Sequence, residues 1–212
     1  MRDGSLALLK AAPLPEGGNG GGGGGGGGRR GVVGLHSVVR DGRVKALEDV
    51  KFAPGSGLYA GGLLACGGHE RTIDVYEVVT DGRSGEHRLS LQLRSRCKGH
   101  SSTVLHLDWS CCGRLLLTNC AAREALCWQM PSGKRVPQAG RLIADTPWAT
   151  WTGVLGFPVL GVWPDGSDGS DINAAHRSND GQLVLTADDF GGLKLFHAPC
   201  AACPNPDPNP KT

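Results

Sequence analysis

The residues best suited to chemistry lie late in the chain, in Pro199-Cys200-Ala201-Ala202-Cys203. This spacing is half of the zinc-deaminase signature, in which thiolates hold a zinc ion that activates water. The other half is an upstream H-x-E, supplying a third ligand and a carboxylate that shuttles the proton. None of the seven histidines (36, 69, 87, 100, 106, 176 and 197) has a glutamate two residues later. His197, Cys200 and Cys203 would still offer zinc three donors of suitable type. A lone C-x-x-C beside a proline-rich stretch is more simply a pair of ordinary thiols.

Other chemistries fit less well. Asp165, Asp168 and Asp171 sit in an Asp/Gly/Ser cluster that looks superficially like a calcium loop. A loop starting at Asp165 needs a bidentate glutamate at its twelfth position, and that position is His176. Turn formation, with Asp side chains bonding nearby backbone N–H groups, accounts for the cluster. Gly133-Lys134 lacks the leading glycine and the following Ser/Thr of a phosphate-binding loop. Arg94, Arg96 and Lys98 alternate along a strand-like stretch, as a basic stripe facing an acidic partner or as a solvated face. No catalytic residue and no cofactor follow from these patterns. An enzyme is not expected.

The elements that carry these residues are short and punctuated. The chain holds 35 glycines and 13 prolines, and positions 17–28 are glycine apart from Asn19. Such a run loses the most backbone entropy on ordering and has nothing to bury. Residues 1–31 are therefore expected to be a disordered arm, and 201–212 a proline-rich tail of the same kind. Residues 32–47 read as at most a strand pair around Arg40-Asp41-Gly42-Arg43. The folded part is 48–200.

Within 48–200 one order of motifs occurs three times. EDVKF, LLAC and TIDVYEV form the first unit; STVLHLDWS, LLLTN and ALCWQM the second; DINAAHR, QLVLT and LKLFHA the third. Each run alternates with the two-residue period of a strand. Leu105, Leu107 and Trp109 share one face against His106 and Asp108, and Leu193 and Leu195 share one against Lys194 and Phe196. The intervals Leu63–Leu115 and Leu115–Leu183 both exceed ~40–45 residues, and an insert at 137–165 lengthens the second. Short strands with Gly/Ser/Asp turns fit an all-β propeller of four-stranded blades, or a β-sandwich.

The joined motifs Trp148-Ala-Thr-Trp151-Thr, Gly161-Val-Trp-Pro-Asp-Gly-Ser-Asp-Gly-Ser-Asp-Ile-Asn173 and Ala187-Asp-Asp-Phe-Gly closely resemble the echinoderm microtubule-associated protein-like family. The resemblance runs back through CKGHSSTVLHLDWS and TNCAAREALCWQM, over residues 48–200. It implies a partial WD-repeat β-propeller of about three blades, an incomplete circle. In a well-formed repeat a Gly-His, a Ser/Thr, an Asp and a Trp satisfy one another's polar atoms and pin the blade. Gly99-His100, Thr118 and Trp128 take three of those places in the second unit, as a structural rather than catalytic network. The Asp place falls on Ala122, so His100 is expected to lack its carboxylate. The first unit has Glu70 there but no Gly-His; the third has Asp189 one residue early and Phe196 for the Trp.

By the same resemblance the partners are tubulin and microtubules, and other proteins through the propeller surface. The family's trimerising coiled coil, basic region and first-propeller motif are not visible, so the chain reads as a fragment or short isoform. A net charge of +2 gives no ground for a nucleic acid or membrane partner. Eight cysteines without a secretory signal read as reduced thiols, hence a cytoplasmic location, and the resemblance implies the cytoskeleton.

Overall fold

The computed structural model describes residues 6–11, 33–39, 45–55, 62–81, 88–163 and 172–201. Strands β1 (Leu6–Ala11) and β2 (Val33–Val39) form an antiparallel pair. Leu6–Ala11 lies inside the segment expected as coil, and its apolar run pairs instead with the valine-rich stretch after the glycines. Among the described residues the partner of β2 is β1. Both the glycine run and the Arg40–Arg43 turn lie outside the described residues.

Three further antiparallel sheets follow in chain order. The first holds β3 (Leu47–Phe52), β4 (Leu63–Gly68), β5 (Thr72–Asp81) and β6 (Arg88–Lys98). The second holds β7 (Val104–Trp109), β8 (Leu115–Cys120), β9 (Ala125–Gln129) and β10 (Lys134–Val136). The third holds β11 (Ile172–Arg177), β12 (Leu183–Asp188) and β13 (Leu193–His197). Each sheet pairs its strands strictly in sequence, the hairpin order of a propeller blade. The fold is all-β, a partial propeller of two four-stranded blades and a third with three strands among the described residues.

One core fills the seam between the first two blades. Leu63, Ala65, Ile73 and Val75 of the first pack against Val104, Leu107, Trp109, Leu116, Leu126 and Trp128 of the second. Burying such side chains contributes ~1.5–3 kcal/mol each. The insert builds the other core. Helix α1 (Gly140–Asp145), the Trp148–Thr152 stretch and a 3-10 turn over Phe157–Val162 place Ile143, Trp148, Trp151, Val159 and Val162 between Leu117 and Cys127 on one side and Ala175 and Val184 on the other. The insert is thus a wedge between blades rather than a surface loop.

Gly156 shows how closely the wedge fits. It takes φ +132°, and a Cβ there would lie 2.8 Å from the Trp151 ring. Glycine meets both demands. Backbone bonds tie the wedge on both sides: Ala149 N–H donates to Trp109 O at 2.9 Å, and Arg177 N–H to Trp151 O at 3.1 Å.

Alternation predicts the faces, but not which of them is covered. In β13 Phe196 packs on the core, while Leu193 and Leu195 stand 71% and 63% exposed. Register explains this: Val184 pairs with Phe196 facing the wedge, so Leu185 and Leu195 pair on the opposite side. In β7 a bulge beside Leu105 breaks the pattern, and the polar residue Asp108 is buried.

Candidate functional site

Two polar centres lie in the second blade. The first joins the strand entrance to the centre of the sheet. Gly99 leads into β7, β8 carries Thr118, and β9 carries Trp128, whose pairing partner on β8 is Leu116. His100 Nε2 lies 2.6 Å from Thr118 Oγ1, and Trp128 Nε1–H donates to the same hydroxyl at 2.9 Å. The structure places the three sequence-selected residues, His100, Thr118 and Trp128, side by side.

It also supplies the partner that Ala122 does not. Glu124 Oε2 lies 3.2 Å from His100 Nδ1, so the expectation of a histidine without a carboxylate is corrected. The reason is the β8–β9 turn. Arg123 takes φ +62°, and Cys120 N–H donates to Glu124 O at 3.1 Å, bringing the Glu124 side chain back over the strand end. There Glu124 also accepts Ser101 N–H and Ser101 Oγ–H, both at 2.9 Å, and Cys120 Sγ–H at 3.2 Å. These donors, the Ser101 backbone first, draw its carboxyl down to about 2. Burial pushes the His100 imidazole below its usual value, against the pull of Glu124.

The second centre was not legible from residue types. Asp108 is buried and accepts from Thr150 Oγ1 at 2.7 Å, Thr152 N at 2.9 Å and Gly153 N at 2.9 Å. Lys51 of the first blade stands 3.6 Å away, with Asp49 3.1 Å on its other side, and donates to Thr152 Oγ1 and Leu107 O. Asp49 in turn accepts Leu107 N–H at 2.8 Å. The Trp148-Ala-Thr-Trp-Thr-Gly153 motif is therefore a carboxylate cradle. Its one signal in sequence was an acid facing away from Leu107 on a strand with no obvious reason to be wet. Gly153 must be glycine, because a Cβ would lie 2.5 Å from Asn119 Oδ1.

Arg96 makes a bidentate pair with the buried Asp74, Nε to Oδ1 at 2.6 Å and Nη2 to Oδ2 at 2.8 Å. Arg94 pairs with Glu77 at 3.3 Å, and Lys98 is exposed. Strand β5 itself supplies the acids that the basic stripe faces. Cys200 is buried in the wedge core, its N–H bonded to Pro158 O at 2.8 Å, while His197 is exposed. Cys203 and the Asp165, Asp168 and Asp171 cluster lie outside the described residues. Asp189 accepts from Asn173 Nδ2 at 2.5 Å, and Phe196 packs in the core.

Blades pinned by such centres, with the cradle motif wedged between two of them, invite comparison with known propellers. The family described as echinoderm microtubule-associated protein second beta-propeller matches residues 33–207. The chain belongs to the echinoderm microtubule-associated protein-like family. Echinoderm microtubule-associated protein-like 3 of Homo sapiens is 42% identical over 170 residues, 80% of this chain and 18% of the relative. Echinoderm microtubule-associated protein-like 2 of Rattus norvegicus is 39% identical over 171 residues, 81% of this chain and 24% of the relative. The 77 kDa echinoderm microtubule-associated protein of Lytechinus variegatus is 38% identical over 165 residues, 78% and 23%. The chain spans less than a quarter of the length of these microtubule-associated relatives. Among the described residues no helix is long and apolar enough to cross a membrane.

Proposed function

We propose that this chain is a non-enzymatic binding module that contributes to tubulin and microtubule binding and to cytoskeletal organisation. The observation that carries the reading is the match of residues 33–207 to the second propeller of a microtubule-associated family. The polar centres support it in a second way. Each of His100, Thr118, Trp128 and Asp108 has its hydrogen-bonding capacity turned onto neighbouring protein groups, which suits pinning blades rather than turning over a substrate. Partners would meet the propeller surface, in the cytoplasm on the cytoskeleton, with neither nucleic acid nor a membrane required.

Co-sedimentation of the full chain with polymerised tubulin tests this. The expected result is saturable recovery in the pellet, reduced at high salt. A chain that stays in the supernatant while binding other proteins would overturn the tubulin reading in favour of a general interaction scaffold. The uncovered apolar side of the third blade, with Leu185, Leu193 and Leu195, favours that second reading.

A further inference from the structure

We propose that His100, Cys120 and Glu124 form a binding site for a thiophilic divalent cation of the zinc type. Among the described residues these three are the group whose ligand atoms, one from each residue, all lie within 4.8 Å of one another. Glu124 Oε2 is 3.2 Å from His100 Nδ1 and 3.2 Å from Cys120 Sγ. Zinc binds nitrogen, oxygen and thiolate sulfur at ~2.0–2.3 Å, so a tetrahedral site holds its ligands roughly 3.3–3.7 Å apart. The two edges at Oε2 need to open by only a few tenths of an ångström, and the edge between the His100 nitrogen and Cys120 Sγ lies within 4.8 Å.

Hydrogen bonding alone leaves this cluster over-subscribed. Three donors converge on the single oxygen Oε2: Ser101 N–H at 2.9 Å, and the His100 and Cys120 groups at 3.2 Å. A carboxylate oxygen offers two lone-pair directions, and a thiol is a weak donor. A cation between Nδ1, Sγ and Oε2 replaces both long contacts with ligand bonds and leaves the Ser101 bonds in place.

The other side of the imidazole is already arranged for this. Thr118 Oγ1 has two acceptors for its one proton, His100 Nε2 at 2.6 Å and Leu126 O at 3.3 Å. When the hydroxyl turns to Leu126, Nε2–H donates to Oγ1 and the Nδ1 lone pair is free for a metal. A ligating histidine that gives its second N–H to a fixed acceptor is the usual outer-shell arrangement. Binding shifts the His100 proton from Nδ1 to Nε2 and releases the Cys120 thiol proton to solvent. Glu124 is one-third exposed, which gives the ion an entry path and leaves the fourth position to water. One sulfur, one nitrogen and one oxygen favour zinc or cobalt over magnesium or calcium.

The test is titration of the chelator-treated full chain with cobalt(II), followed by absorbance. One equivalent is expected to give a thiolate-to-cobalt band in the near ultraviolet and tetrahedral bands in the visible, displaced by zinc. Cys120→Ser is expected to abolish the ultraviolet band, and Glu124→Gln to weaken binding at least tenfold. Cys127→Ser, a buried thiol elsewhere in the blade, keeps it. Affinity rises with pH, about tenfold per unit where one thiol proton is released. A circular dichroism melt of each variant separates loss of the site from loss of the fold. Absence of the band, or its survival in folded Cys120→Ser protein, would overturn the site, assigning any binding to the other cysteines.

Discussion

Glu124 stands beside His100 where Ala122 offers nothing, its Oε2 3.2 Å from the ring Nδ1. The repeat's missing carboxylate is thus replaced from two positions further along the same turn. Glu124→Ala removes the acceptor of both Ser101 bonds as well. A loss of about 1–2 kcal/mol is expected in urea denaturation followed by tryptophan fluorescence. Ala122→Asp, which the sequence alone would favour as stabilising, is expected to change stability by less than ~0.5 kcal/mol.

Acid should weaken this blade in two stages. His100 is held below its usual value by burial, so the folded state binds fewer protons, and stability falls as pH drops below about 6.5 toward its folded value. Glu124 is depressed from 4.5 to about 2, so its contribution is complete above 4.5 and is lost between 4.5 and 2. Melting temperature against pH should fall in both windows. Glu124→Gln should shrink the lower one, to which Asp180 and Asp188, also held below the usual carboxylate range by hydrogen bonds, contribute as well; an unchanged acid limb would contradict the assignment.

Thr118→Val keeps the shape but strips the hydroxyl shared by His100 and Trp128. Two buried ring nitrogens then lose their partner, at about 1–3 kcal/mol each. A midpoint shift with an unchanged denaturant slope is the expected readout; no shift would mean the hydroxyl is replaced by water.

Asp108→Ala leaves Lys51 without one of its two carboxylates and the Thr152 and Gly153 amides without an acceptor. Breaking a buried pair from one side costs about 3–5 kcal/mol. Hydrogen exchange should accelerate first at 148–155, where the cradle opens, before the first-blade strands respond.

Cysteine reactivity should single out one thiol. The Ser110 hydroxyl and Arg114 draw Cys112 down to about 7, whereas burial raises Cys97 to about 12 and Cys127 to about 11. At pH 7.5 a brief alkylation followed by peptide mass mapping should label Cys112 ahead of the other described cysteines. Arg114→Gln should slow that labelling; equal rates at Cys112 and Cys127 would refute the difference.

Taken alone, the sequence marked the central strands of the three units and, through the motif resemblance, pointed to the family and to His100, Thr118 and Trp128, but it missed β1. The strands follow from local period and turn chemistry, carried by neighbours in the chain. It could not decide which side of β13 is covered, since Phe196 and Leu195 are both apolar and only the wedge against Val184 selects between them. Nor could it find the acid for Arg96, which is Asp74 across a strand pair, or the cradle of Asp108, whose donors lie more than forty residues away. Glu124 reaches His100 only because Arg123 takes a positive φ and turns the chain back. These are relations through space, fixed when blades and wedge pack together, and spacing along the chain does not encode them.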